Sequence, residues 1–125
     1  MRKPIRIGVI GCGNVLSAYR PAIESLRGRQ EAECVIACGR PTQRDVAARE
    51  LGGVTFVSDP ELVLRSPEVD LVLILTSMRQ HAALAGAALE AGKHVVMEKP
   101  LATTLAEAEA LVAKAVLELE HVPEG

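Results

Sequence analysis

The run Val69-Asp70-Leu71-Val72-Leu73-Ile74-Leu75 is apolar at every position but one. It is too short for a typical helix and rich in branched side chains. A strand with no polar face must be buried on both sides, as the central strands of parallel sheets are. Such a sheet needs helices above and below it, and the rest of the chain has to supply them.

The flanking sequence supplies them in alternation. Ile5 to Ile10 reads as a short buried strand, followed by the turn Gly11-Cys12-Gly13. A helix is expected from Asn14 to about Leu26, with Leu16, Tyr19, Ile23 and Leu26 on one face. Pro21 should kink that helix or restart it, and Gly28 should end it. Ala32 to Cys38 is a second strand, with Cys34 and Cys38 on one face by even spacing. Thr42 is placed to cap a helix to about Leu51, stopped at Gly52-Gly53. Val54 to Val57 is a short strand, and Ser58-Asp59-Pro60 opens a short helix. After the long apolar run come a helix from about Gln80 to Ala91 and a strand from His94 to Met97. A last helix, capped by Thr103 or Thr104, is expected to reach about Glu120. Alternation forces right-handed crossovers. The expected fold is therefore α/β, a doubly wound parallel sheet of about five strands. A sixth strand is common in such sheets, and the sequence stops where it would begin. Residues 1–125 are read as one domain.

Composition narrows the partners. Only 2% of residues are aromatic, so the core must be Val, Leu, Ile and Ala. The formal net charge is −2, and no basic stripe with interleaved aromatics occurs, which argues against nucleic acid. No apolar run approaches the roughly 20 residues that span a bilayer, and the short basic start lacks a signal peptide's apolar stretch. No membrane partner is expected, and a cytoplasmic location is. The three cysteines, Cys12, Cys34 and Cys38, form no C-x-x-C pair and read as small buried hydrophobes, with no metal site.

Gly11-Cys12-Gly13 lies between a strand and a helix, the context a dinucleotide-binding turn requires. Gly11 permits the tight turn. Gly13 lets backbone approach a pyrophosphate. Asn14 and Val15 open the helix, whose free N–H groups and partial positive charge favour an anion. Leu16 stands at the third glycine position, a departure from G-x-G-x-x-G/A. After the second strand an NAD site usually carries Asp or Glu for the ribose hydroxyls. Here the sequence is Cys38-Gly39-Arg40-Pro41-Thr42, without an acid. Arg40 suits a 2′-phosphate, Thr42 adds a donor and Arg44 adds charge, so NADP is preferred over NAD. The alternative is that Arg40 is a solvated loop arginine. Thr76 and Ser77, at the end of the central strand, are placed to line the same crevice.

At the end of the last strand stands Glu98-Lys99-Pro100. Lys99 there would donate to a substrate oxygen and offset developing negative charge. Glu98 would hold the lysine or accept from a carboxamide. Pro100 restricts Lys99 to extended geometry. The three residues alone favour a plainer reading, solvated charges before a helix. His81 reads first as a helix residue bonding locally rather than as a catalytic base.

These segments resemble the amino-terminal half of the Gfo/Idh/MocA oxidoreductases, the glucose–fructose oxidoreductase and inositol dehydrogenase family. Ile7-Gly8-Val9-Ile10-Gly11-Cys12-Gly13-Asn14 is similar to the family's opening, and Asp70 to Thr76 to its central strand. Ala88 to Leu101, containing Gly92-Lys93-His94-Val95-Val96-Met97-Glu98-Lys99-Pro100, is the most specific segment. The resemblance covers essentially the whole sequence. It implies a Rossmann domain that holds NAD(P) for hydride transfer to or from a hydroxyl carbon of a sugar, cyclitol or similar polyol. It implies that Lys99 is catalytic and lies near nicotinamide and substrate, and that Glu98 and His81 belong to the cofactor side. Ser77-Met78-Arg79 departs from the family's Pro-Asn-His. The family's second, substrate-binding domain is absent from this sequence, so a polyol partner and turnover are expected only with that domain. The alternatives are a non-enzymatic nucleotide-sensing or interaction module, and a methyltransferase. An unpaired sheet edge is expected to drive homo-oligomerisation.

Overall fold

The computed structural model describes residues 3–13 and 15–97. The expectations at Asn14, Glu98, Lys99 and Pro100, and for the last helix, lie outside those residues. The described residues form ten elements, strands and helices in alternation apart from one 3-10 turn that leads straight into a helix. They are β1 (Ile5–Ile10), α1 (Leu16–Gly28), β2 (Ala32–Cys38), a 3-10 turn (Pro41–Gln43), α2 (Arg44–Leu51), β3 (Thr55–Val57), α3 (Glu61–Leu64), β4 (Leu71–Ile74), α4 (Met78–Glu90) and β5 (His94–Met97). The strands form one sheet in the order β3-β2-β1-β4-β5, every neighbouring pair parallel.

Both faces of the sheet are covered. Ile7, Val9, Leu73 and Leu75 face α1 and α2, where they pack with Leu16, Ile23, Ala47 and Leu51. Ile10, Val72 and Ile74 face α3 and α4, where they pack with Val63, Leu64, Ala85 and Ala88. Val9, Val72 and Ile74 are fully buried. Each contributes about 1.5–3 kcal/mol through burial. Alanines on α4 let the helix sit close to the sheet without aromatic volume.

The single polar residue of the central run is used at the amino edge. Asp70 Oδ2 accepts from the Arg6 backbone N–H at 2.9 Å and from Arg6 Nε at 3.3 Å. The Asp70 N–H donates to the Arg6 carbonyl at 2.8 Å, extending the β1–β4 ladder by one rung. The side-chain hydrogen bond from Arg6, then the backbone one, hold the Asp70 carboxyl below its ordinary range. Lys93 Nζ donates to the carbonyls of Ser66 (2.6 Å) and Val69 (2.7 Å) and ties the start of β5 to the same edge.

Three local expectations are corrected. The β1–β2 register runs Ile7 to Cys34 and then Gly8 to Ile36, so Val35 is an extra residue. That bulge reverses the alternation. Cys34 consequently packs toward α1 and α2 and Cys38 toward α3 and α4, on opposite faces. Pro21 does not restart the first helix, because α1 runs unbroken from Leu16 to Gly28 with Pro21 on its exposed side. α1 does end at Gly28, as expected, and the left-handed residue that follows is Gln30 (φ 59°). Thr42 caps nothing and lies exposed within the 3-10 turn.

Candidate cofactor site

The sheet order reverses direction between β1 and β4. From β1 the chain moves outward through β2 and β3, then returns to lay β4 on the other side of β1. Ligands of open α/β sheets bind in the crevice outside the carboxyl ends of the strands at this point. The strand ends here are stitched by backbone bonds. Gly11 N–H donates to the Cys38 carbonyl (2.8 Å), Gly39 N–H to Val57 (3.1 Å), and Leu75 N–H to Ile10 (2.8 Å).

Gly11 takes φ +106°, and a Cβ there would lie 2.7 Å from the Leu75 carbonyl carbon and 2.8 Å from the Thr76 nitrogen. The fold itself therefore demands a glycine. Gly13 differs. Among the described residues a Cβ there would meet nothing closer than Gln43 Nε2 at 3.8 Å, and its φ is not left-handed. Packing among the described residues does not require that glycine, and its missing side chain leaves room beside the turn. Val15 precedes the first residue of α1, whose first turn carries no acid to compete with an anion. Leu16, at the third glycine position, is fully buried in the core beneath α1. A leucine thus fills the helix–strand gap that a glycine would close.

Thr76 and Ser77 lie at the end of β4, as expected. The Thr76 hydroxyl oxygen is buried and has no hydrogen-bond partner among the described residues. Leaving such a group unpaired costs about 1–3 kcal/mol. Ser77 is exposed and precedes α4 in an extended conformation without spending its hydroxyl on a cap. His81 is buried, and its Nε2–H donates to the Thr76 carbonyl at 2.8 Å. It braces the connection that carries Thr76 and Ser77.

On the other side of the turn, Arg40 and Thr42 are exposed just beyond β2. Arg44 lies with its guanidinium carbon 5.0 Å from the Phe56 ring centre. Cys12 is buried between the turn and β2, and its S–H faces the Cys38 carbonyl at 3.5 Å. Burial first, then the neighbouring Cys38, push the Cys12 thiol up to about 11. It is not a nucleophile at neutral pH.

One residue of this region escaped the sequence reading. The Gln43 backbone N–H donates to the Arg40 carbonyl at 2.8 Å, and its side-chain Oε1 accepts from the Arg40 N–H at 3.0 Å. The three-residue spacing between Arg40 and Gln43 was the available signal, since capping boxes close at that distance.

A groove of about 500 Å³ lies elsewhere, between α1, α2 and the starts of β2 and β3. Two of its cations are paired internally, Arg20 with Glu24 at 2.9 Å and Arg49 with Glu50 at 3.3 Å. Its glycines, Gly52 and Gly53, follow the carboxyl end of α2, where free carbonyls rather than N–H groups face out, so the carboxyl edge of the sheet is the better candidate.

The family model described as "Oxidoreductase family, NAD-binding Rossmann fold" matches residues 5–119. The chain belongs to this GFO_IDH_MocA family. Among its relatives, the uncharacterized oxidoreductase YdgJ of Escherichia coli is 39% identical over 92% of this chain and 32% of its own length. Biliverdin reductase from Synechocystis sp. PCC 6803, solved with biliverdin and NADP+, superposes with a TM-score of 0.81. It is 35% identical over 93% of this chain and 36% of that one. KijD10, a 3-ketoreductase from Actinomadura kijaniata solved with NADP and TDP-benzene, gives a TM-score of 0.78. It is 33% identical over 93% of this chain and 35% of that one. The GFO_IDH_MocA chain described here spans about a third of the length of the curated relatives it matches. NAD(P) binding is the family's property, and both solved neighbours were crystallised with the 2′-phosphorylated form.

Proposed function

We propose that this chain holds a nicotinamide dinucleotide, NADP in preference to NAD, for an oxidoreductase acting on a hydroxyl carbon of a sugar, cyclitol or similar polyol. The observation that carries the reading is the pairing of Gly13, a glycine that packing among the described residues does not require, with the Thr76 hydroxyl, which has no partner among them. Gly11, Gly13, Asn14 and Val15 would hold the diphosphate. Arg40 and Thr42, past Gly39, would hold the 2′-phosphate, because no carboxylate stands between Cys38 and Arg44 to repel it. Thr76 and Ser77 would face the nicotinamide side, steadied by His81.

When bound, such a cofactor supplies or accepts a hydride. By family resemblance Glu98 steadies Lys99, and Lys99 holds positive charge near the substrate oxygen. Substrate contacts are assigned to chain beyond this sequence, since the curated relatives are about three times as long. Residues 1–125 alone should bind cofactor without turning over a polyol. Free thiols at Cys12, Cys34 and Cys38 suit a cytoplasmic location. Val96, 44% exposed on β5, suits self-association along that edge. Light scattering tests this, and a strictly monomeric species would remove it.

Calorimetric titration with NADPH and NADH tests the cofactor assignment. Saturable binding, tighter for NADPH, is expected. Equal affinities or tighter NADH would overturn the preference, and no binding would overturn the site.

A further inference from the structure

We propose that Gln43 is a specificity-determining residue that donates to the 2′-phosphate of the cofactor from the place where NAD sites carry a carboxylate. The inference rests on the dinucleotide reading above. It starts from the orientation of one carboxamide. The Arg40 backbone N–H can only donate, so the atom that meets it at 3.0 Å must be the Gln43 oxygen. The amide nitrogen is thereby turned the other way. A Cβ at Gly39 would lie 2.7 Å from Gln43 Oε1 and 3.3 Å from the Cys12 Cβ, so Gly39 is what admits this side chain to the strand end. The nitrogen points to the space beside Gly13, 3.8 Å from where a Cβ would be. Nε2 donates to no acceptor among the described residues, and the side chain is half-buried.

That space lies between the two loops that bracket the adenosine ribose of a dinucleotide at a switch point. An acid reaching it from the end of β2 would accept from two ribose hydroxyls and repel a phosphate. A carboxamide held by its oxygen presents only N–H donors, which suit phosphate oxygens. The same contact fixes the backbone of Arg40, whose guanidinium brings the charge. Gln43 thus supplies a neutral donor and positions its cationic neighbour.

The experiment has two arms. In the first, wild type and Gln43→Glu are titrated with NADPH and NADH. The glutamate keeps an oxygen for the Arg40 N–H and replaces the donor with a carboxylate. NADPH affinity should fall about tenfold or more while NADH affinity holds or rises. Equal losses for both cofactors, or no loss, would overturn the inference. The second arm needs no variant to fold. The ¹⁵N-labelled wild type is titrated with 2′,5′-ADP and with 5′-AMP. The Gln43 side-chain NH₂ signals should move with the first ligand and stay with the second. If the Gly13 and Arg40 amides respond to 2′,5′-ADP while the Gln43 carboxamide does not, the inference fails and the cofactor site stands. If neither ligand moves any of these signals, both fail.

Discussion

Gly11 presses against Thr76 so closely that a Cβ on the glycine would sit 2.8 Å from the threonine's backbone nitrogen. The turn after β1 and the end of β4 form one surface, and the two glycines of that turn have different duties. Gly11→Ala combines a left-handed φ of +106° with a backbone clash, so it should destabilise the fold by about 1–3 kcal/mol. Gly13→Ala meets no clash and should leave the melting temperature nearly unchanged while weakening NADPH binding. Thermal melts and titrations of both variants check this. A Gly13→Ala protein that binds as tightly as wild type would remove Gly13 from the site.

Arg40 should account for most of the preference for a 2′-phosphate. A charge-assisted hydrogen bond is worth about 1.5–3 kcal/mol. Arg40→Ala should therefore weaken NADPH by about ten- to a hundredfold and leave NADH within a few-fold. Since Arg40 is exposed, unfolding should not confuse the result. Equal effects on both cofactors would place Arg40 elsewhere than at the 2′-phosphate.

At the opposite edge of the sheet, Asp70 gives a pH dependence of known sign. Its folded-state pKa is lowered by the Arg6 hydrogen bonds. The stability it contributes is present above the unfolded carboxylate value of about 3.9. It is lost as pH falls through the lower folded value. The pair is 40% exposed on both sides. Solvent screening therefore limits its worth to about 1 kcal/mol or less. Urea unfolding of wild type and Asp70→Asn at pH 7 and in acid should show a gap that closes in acid. A gap that widened instead would contradict the assignment.

The cysteines predict the alkaline limb. Burial pushes the Cys12 thiol to about 11 and the Cys34 thiol to about 12, against an ordinary value of 9.0. Their contribution is complete below the unfolded value. It falls as pH rises past it and is lost as pH passes the folded values. Native protein at pH 8 should react slowly with a thiol reagent at both sites, and unfolded protein quickly. Rapid native labelling of Cys12 would show that the turn opens.

Element order and the parallel sheet were legible because Val69 to Leu75 allows almost no other burial, and because Gly52 and Gly92 end their helices where expected. The glycine turn was legible for the same reason, through its place between β1 and α1. Details that depend on one strand's neighbour were not. The bulge at Val35 arises from pairing with β1, so even spacing put Cys34 and Cys38 on one face when they lie on two. Gln43 was missed because its side chain turns back to Arg40, a choice made by the shape of the loop and the absence of a Cβ at Gly39. Thr42 had the better capping chemistry but not the position, since the chain enters α2 through a 3-10 turn.

The most direct test of the central claim is a map of where NADPH binds. The ¹⁵N-labelled chain should show saturable shifts clustered at Gly11, Gly13, Gly39, Arg40, Thr76 and Ser77, the carboxyl edge between β1 and β4. Absence of saturable shifts, or shifts clustered instead at Glu33, Gly52, Gly53 and Thr55 around the groove at the other edge, would contradict it.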